Sequence, residues 1–169
     1  SHIFKSYDAG VTWEEIGENY PREIETSVRV ITVDPYDPDL IYLGTSEQES
    51  VVGNGLWISN DAGRTWGRST GGLPPDASIN AIVVHSSNPG WLLVGTQQGM
   101  YRSSNAAQTW HRVGGWSVWD VEADPQHPDG VYVGTEEGLK FSPDFGETWK
   151  QVSSDQLSGP IIAIAVNCN

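Results

Sequence analysis

The side chains best suited to chemistry are a few carboxylates and rings lying between apolar runs. Glu47, Glu49, Glu136 and Glu137 are acidic, Arg22 is a cation, and Tyr20, Trp116 and Trp119 carry large rings. Indole and phenol faces stack on sugar rings and carboxylates accept hydroxyl protons, so this set fits carbohydrate recognition. Two carboxylates roughly 5–9.5 Å apart, one with a raised pKa, would extend that to glycoside hydrolysis. Glu136 and Glu47 are the candidates for such a pair, and their sequence spacing does not fix their distance. The other reading of the same residues is a solvated acidic rim with indoles packed between sheets.

Other chemistries have less to stand on. His2, His85, His111 and His127 occur singly, without the paired spacing of metal ligands, and no metal site is expected. Asp34, Asp37 and Asp39 could offer oxygens to calcium, yet an Asp-Pro turn explains them as well. One cysteine, Cys168, rules out an internal disulfide and a Cys-based zinc cluster. No nucleophile elbow, phosphate-cradling loop or dinucleotide fingerprint is present, so no cofactor is expected. With 9 basic against 22 acidic residues and a net charge of -13, the surface repels phosphate backbones, which argues against a nucleic-acid partner. No apolar run reaches the length of a membrane span, and membrane insertion is not expected.

The elements that must position these residues repeat along the chain. Ser6-Tyr7-Asp8-Ala9-Gly10-Val11-Thr12-Trp13 returns as Ser59-Asn60-Asp61-Ala62-Gly63-Arg64-Thr65-Trp66. It returns altered at Ser103 to Trp110, with Asn105 for Asp and Ala107 for Gly, and again at Ser142 to Trp149 around Asp144. Upstream of the last three copies lie a β-branched run (Val28 to Val33, Ile79 to Val84, Val118 to Ala123) and an apolar run closed by Gly-Thr. The Gly-Thr pairs fall at 44–45, 95–96 and 134–135, a period of roughly 40–50 residues that suits four-stranded propeller blades. Strand A is the β-branched run, strand B ends at Gly-Thr, strand C precedes the octapeptide, and strand D begins at its Thr-Trp pair. No sustained 3.6-residue period appears, so the fold class is all-β, with helix nearly absent.

The octapeptide has a mechanical role. Its Asp can bond backbone amides across a tight C–D reversal while Gly supplies a positive φ, and the Trp offers a broad surface between sheets. Asp8, Asp61 and Asp144 are therefore read as turn fasteners, with Asn105 in the same role and Trp13, Trp66, Trp110 and Trp149 as packing rings. Ala107 at positive φ would cost roughly 1 kcal/mol or more, so that turn is expected to be the loosest. If strand A runs down from the top, the B–C and D–A connections lie above. Tyr20, Arg22, Glu47, Glu49, Trp116, Glu136, Glu137 and, at the edge of the set, Trp119 then share the top face, and the octapeptide acids lie below.

Ser-x-Asp-x-Gly-x-Thr-Trp resembles the Asp-box, or BNR repeat, of sialidases, sortilin-type receptors, xyloglucanase-type glycoside hydrolases and photosystem II assembly factors. The resemblance covers essentially the whole chain and implies a β-propeller with structural box acids. In the xyloglucanase type it implies a catalytic Asp just after strand B; the matching positions are Ser46, Gln97 and Glu136, and only Glu136 keeps a carboxylate. The sialidase type implies an arginine cluster, whereas Arg64, Arg68, Arg102 and Arg112 adjoin the boxes and only Arg22 and Arg29 could reach a central pocket. The lone cysteine departs from the cysteine-rich module of sortilin-type chains, and the few basic residues depart from the arginine patch of the assembly factors. The resemblance also implies an extracellular or exported protein.

The expected organisation is one partial propeller over 1–169. Residues 1–16 would end one blade, 27–69, 78–113 and 116–152 would be full blades, and 160–169 would open another. Remaining blades are expected from the rest of a longer chain or from another copy, since open blade faces invite association. The expected function is a non-catalytic binding or assembly scaffold for carbohydrate or protein, with a β-glucan-directed glycoside hydrolase as the alternative.

Overall fold

The computed structural model describes residues 2–17, 27–46, 55–152 and 159–167. Every regular element among them is a strand. β1 (Ile3–Lys5) pairs with β2 (Glu14–Ile16) as a two-stranded piece. Blade 1 is the meander β3 (Ser27–Val33), β4 (Ile41–Ser46), β5 (Leu56–Ser59) and β6 (Gly67–Arg68). Blade 2 is β7 (Ile79–Val84), β8 (Leu92–Thr96), β9 (Gly99–Ser103) and β10 (His111–Gly114). Blade 3 is β11 (Val118–Ala123), β12 (Val131–Thr135), β13 (Gly138–Ser142) and β14 (Lys150–Gln151). All pairings are antiparallel, as short alternating runs joined by Asp, Pro and Gly turns require.

Two boundaries differ from the sequence expectation. Strand D starts after the Thr-Trp pair, because the Thr12, Thr65, Thr109 and Thr148 amides are committed to the box carboxamide or carboxylates. The segment 159–167 forms no strand. It lacks a described neighbour to build a ladder with, and rests on blade 3 through Ile161 N–H to Thr135 O (3.0 Å) and Ile164 N–H to Asp120 Oδ2 (2.8 Å).

The core lies between blades. Trp110 and Ala107 of blade 2 pack with Tyr42, Leu56 and Leu73 of the preceding blade. Phe145 of blade 3 packs with Leu93 and Met100 of blade 2, with Trp149 beside them. Trp66 of blade 1 joins Ile3, with Ile16 alongside, from the β1–β2 piece. Each box aromatic thus faces the blade before it. The Gly of each Gly-Thr pair faces the blade after it. A Cβ on Gly44 would come within 2.6 Å of Ile79, and one on Gly95 within 2.4 Å of Val118. Gly134 meets the Ile161 carbonyl in the same way, so the ladder-free segment lies where the inner strand of a next blade would lie.

Each inner strand carries a register shift at its upper end, between Val28 and Val30, Ile79 and Ala81, and Val118 and Asp120. Arg29, Asn80 and Trp119 are the extra residues. Such bulges re-aim a side chain out of the alternation. Asn80 uses this to donate from Nδ2 to the Val118 carbonyl of the next blade at 2.7 Å.

Candidate functional site

The box acids are occupied by their own turns. Asp61 Oδ1 accepts the Thr65 amide (2.8 Å) and the Ser59 hydroxyl (2.8 Å), while Oδ2 accepts the Thr65 hydroxyl at 2.6 Å. Asp8 and Asp144 repeat the pattern with Thr12 and Thr148. The Thr hydroxyl and amide hold Asp8 and Asp61 at about 2, well below an ordinary carboxylate. Partial burial works upward on Asp144, but its Thr148 bonds outweigh it and the net shift is downward. Asn105 keeps the geometry in neutral form: Oδ1 accepts the Thr109 amide and Nδ2 donates to its hydroxyl. A carboxylate so held makes a poor general acid or base.

The altered box is held by bonds from outside its own turn. Ala106 and Ala107 both have positive φ, of 52° and 62°. Their strain is offset by clamps from neighbouring turns and from blade 1. Ala106 N–H donates to Gly90 O, Ser69 Oγ donates to Ala107 O, and Trp110 donates its amide to Gly71 O and its indole N–H to Ser69 Oγ. The Ala107 methyl fills core space that Gly would leave empty.

The top-face set divides. Tyr20, Arg22, Glu47 and Glu49 lie outside the described residues. Glu136 is exposed, with Oε1 3.3 Å from the Ser117 amide. Glu137 accepts from Lys140 Nζ at 2.9 Å, and Lys140 also reaches Gln151 Oε1 at 2.8 Å. The Lys140 ammonium stands 4.9 Å above the Trp116 ring, which meets Trp149 edge-on at 5.4 Å. Trp116 and Glu137 are brought together through Lys140, and both serve packing on the flank of blade 3. Trp119, at the bulge beside Ser117, is half-buried. Its indole Nε1 is buried without a hydrogen-bond partner among the described residues.

Two features escaped the sequence reading. Glu122, two residues from Asp120 on β11, has a pKa raised by burial and by the Asp120 charge. Asp120 is committed to the Val121 and Ile164 amides, so it holds backbone. The i, i+2 spacing in a strand was the available signal for one shared face. His85 is the second, buried at the blade 2–blade 3 boundary. Asp34 and Asp37 close their turn through the Tyr36, Asp37 and Asp39 amides, the role that needs no cation.

Three blades in series, each with a box turn below and a Gly-Thr pair facing its successor, form a framework that can be compared with known proteins. A family profile described as "Sortilin, neurotensin receptor 3" matches residues 1–112. The chain belongs to the Sortilin-Vps10 family. This Sortilin-Vps10 chain is 31% identical over 142 residues to Xyloglucanase Xgh74A of Acetivibrio thermocellus, a match covering 67% of the chain and 16% of that relative. It thus spans about one sixth of the length of the curated relative it matches. Among solved structures it resembles an ancestral GH74 enzyme with a TM-score of 0.74 at 20% identity, over 90% of this chain and 21% of that one. It also resembles YCF48 bound to D1 peptide, with a TM-score of 0.54 at 15% identity, over 75% of this chain and 41% of that one. At these identities the structural likeness speaks for the fold, an Asp-box β-propeller of the sortilin and xyloglucanase type.

Proposed function

We propose that these blades act as a non-catalytic scaffold that recognises carbohydrate through the top-face rim of Trp119 and Glu136, in an exported protein. The observation that carries this reading is the set of residues just after the second strands. Ser46, Gln97 and Glu136 stand there. Glu136 alone is acidic, and its Oε1 faces the Ser117 amide. Its sequence neighbour Glu137 is committed to Lys140, and Glu47, the other candidate for a two-carboxylate pair, lies outside the described residues. Similarity to a xyloglucanase supports sugar as the ligand class and export as the destination.

The second reading, part of a xyloglucanase-type hydrolase acting on β-glucan, is favoured by the same relative. One experiment separates the two. The chain is titrated with xyloglucan oligosaccharides while Trp fluorescence and reducing ends are followed together. Quenching without new reducing ends supports the scaffold. Hydrolysis that disappears in Glu136→Gln supports the enzyme and overturns the scaffold.

A further inference from the structure

The boundary between blades 1 and 2 carries a groove beside the box turns. One part, of about 560 Å³, runs between Arg68, Ser69 and Thr70 after the outer strand of blade 1 and Ala106 to Gln108 in the box turn of blade 2, with Asn60 on its wall. A second part, of about 380 Å³, is lined by Tyr36 and Leu40 of blade 1 and by Pro89, Gly90 and Asn105 of blade 2. Ala106 and Gln108 line both, so the two parts adjoin. Each volume falls within the roughly 300–1,000 Å³ of small-ligand sites.

Asp34, Asp37 and Asp61 keep this groove anionic, and its uncommitted side-chain amides are neutral. Asp61 spends both oxygens on Thr65 and Ser59, and Asp34 Oδ1 is held by two turn amides. The Arg68 guanidinium is bonded to the Pro75 carbonyl. Asp37 accepts the Asp39 amide at 3.0 Å. The side-chain amides of Asn60 and Gln108, by contrast, are exposed and make no hydrogen bond among the described residues. Tyr36, 46% exposed, offers a ring at the apolar end. Blade 2 also carries the one box whose acid is an amide, so Asn105 removes a negative charge from this wall.

We propose that this groove is a second recognition site, for an uncharged oligosaccharide. Tyr36 is the stacking platform, and the Asn60 and Gln108 amides bond to sugar hydroxyls. An aromatic face at one end and unpaired neutral donors and acceptors at the other match the two surfaces of a pyranose. Three aspartates against the single Arg68 repel a phosphate or sulfate. An extended peptide is less well served, because the neighbouring edge strand, Gly67–Arg68, offers only two residues to a ladder. The proposal goes beyond the top-face reading and stands without it.

The test is titration of the ¹⁵N-labelled chain with cellotetraose, followed by amide and aromatic shifts. The expected result is movement of the Asn60 and Gln108 side-chain amides and the Tyr36 ring. Tyr36→Ala and Gln108→Glu should each weaken binding about tenfold. Gln108→Glu changes an exposed, unbonded side chain, so it keeps the test valid if Tyr36→Ala unfolds. A sulfated tetrasaccharide should move none of these signals, and equal binding by it would overturn the neutral-ligand claim. Shifts confined to Trp119 and the Glu136 region would overturn the groove and leave the top-face reading standing. No shift anywhere would overturn both. A Val-Thr hexapeptide that moves the Gly67 to Ser69 amides where cellotetraose does not would assign the groove to peptide instead.

Discussion

Nε2 of His85, in the turn after the inner strand of blade 2, lies 2.9 Å from Oδ1 of Asp129 in blade 3. Nδ1 of the same ring accepts the Ser87 and Asn88 amides at 2.9 and 3.1 Å, which leaves Nε2 to donate. In blade 1 the equivalent acceptor is Asp34, and in blade 3 it is Asp124. The imidazole thus closes a turn as a carboxylate would, and uses its second nitrogen to tie two blades together. Phe145, at 4.5 Å, and Trp91, at 5.7 Å, pack on it.

Replacing His85 with Ala should cost about 2–4 kcal/mol, since it opens a buried cavity and orphans two turn amides. His85→Asp should restore the turn but set a second carboxylate towards Asp129, and Asp129→Asn should then recover part of the loss. Urea denaturation of the single and double variants measures this; full stability in His85→Ala would remove the imidazole from the account.

Ser69 is the hinge pin of the blade 1–blade 2 boundary. Its hydroxyl donates to Ala107 O at 2.8 Å and accepts the Trp110 indole N–H at 3.0 Å. Ser69→Ala should cost about 1–3 kcal/mol by leaving both groups buried and unpaired. The near-ultraviolet dichroism of the indoles should change with it, and an unchanged midpoint would show that the pair of bonds is dispensable.

Gly44→Ala and Gly95→Ala should each destabilise by about 1–3 kcal/mol, through overpacking against Ile79 and Val118. Ile79→Val should not rescue Gly44→Ala, because the atoms in the way, Cγ2 and Cβ of Ile79, are kept by valine. Gly115→Ala is the control: its added carbon would approach only the end of the flexible Arg112 side chain, at 3.8 Å, and stability should be nearly unchanged.

Asp61 in the folded chain sits at about 2, held down by its Thr65 bonds, and lies below its unfolded value. A depressed carboxylate contributes stability that is complete above the unfolded pKa and is lost as pH falls through the folded one. Stability should therefore hold down to about pH 4 and drop between about pH 4 and pH 2. Asp61→Asn, which copies the natural Asn105 turn, should flatten part of that drop. Denaturation midpoints across this window decide the matter, and identical slopes in the two proteins would contradict it.

Glu122 carries the opposite sign. Burial and the Asp120 charge raise its folded pKa, so ionised Glu122 penalises the fold at neutral pH. Glu122→Gln should stabilise the chain at pH 7, with the gain vanishing as pH falls through the raised value to below the unfolded one. A variant less stable than the parent at pH 7 would show that the carboxylate makes a favourable contact.

The blades were legible in the chain because each turn spells out its own hydrogen bonds: Ser, Asp and Thr at fixed offsets have one way to satisfy one another. The inner strands at 79–84 and 118–123 read correctly for the same local reason. What local pattern could not carry was the relation between blades. Trp116 looked like a free platform, but Lys140 and Trp149 occupy its faces, and neither is near it in sequence. Ala107 looked like a weak point, but Ser69 of another blade clamps it. The turn role of His85 was hidden because an imidazole stood where the flanking blades use Asp.

Trp66, Trp110 and Trp149 rest on the preceding sheet, and Trp13, 61% exposed against 4% for Trp66 and Trp110, marks the other end of the stack. The stack is therefore polar: its indole-bearing end and its glycine-bearing end are different surfaces, as the stud and socket of a brick are.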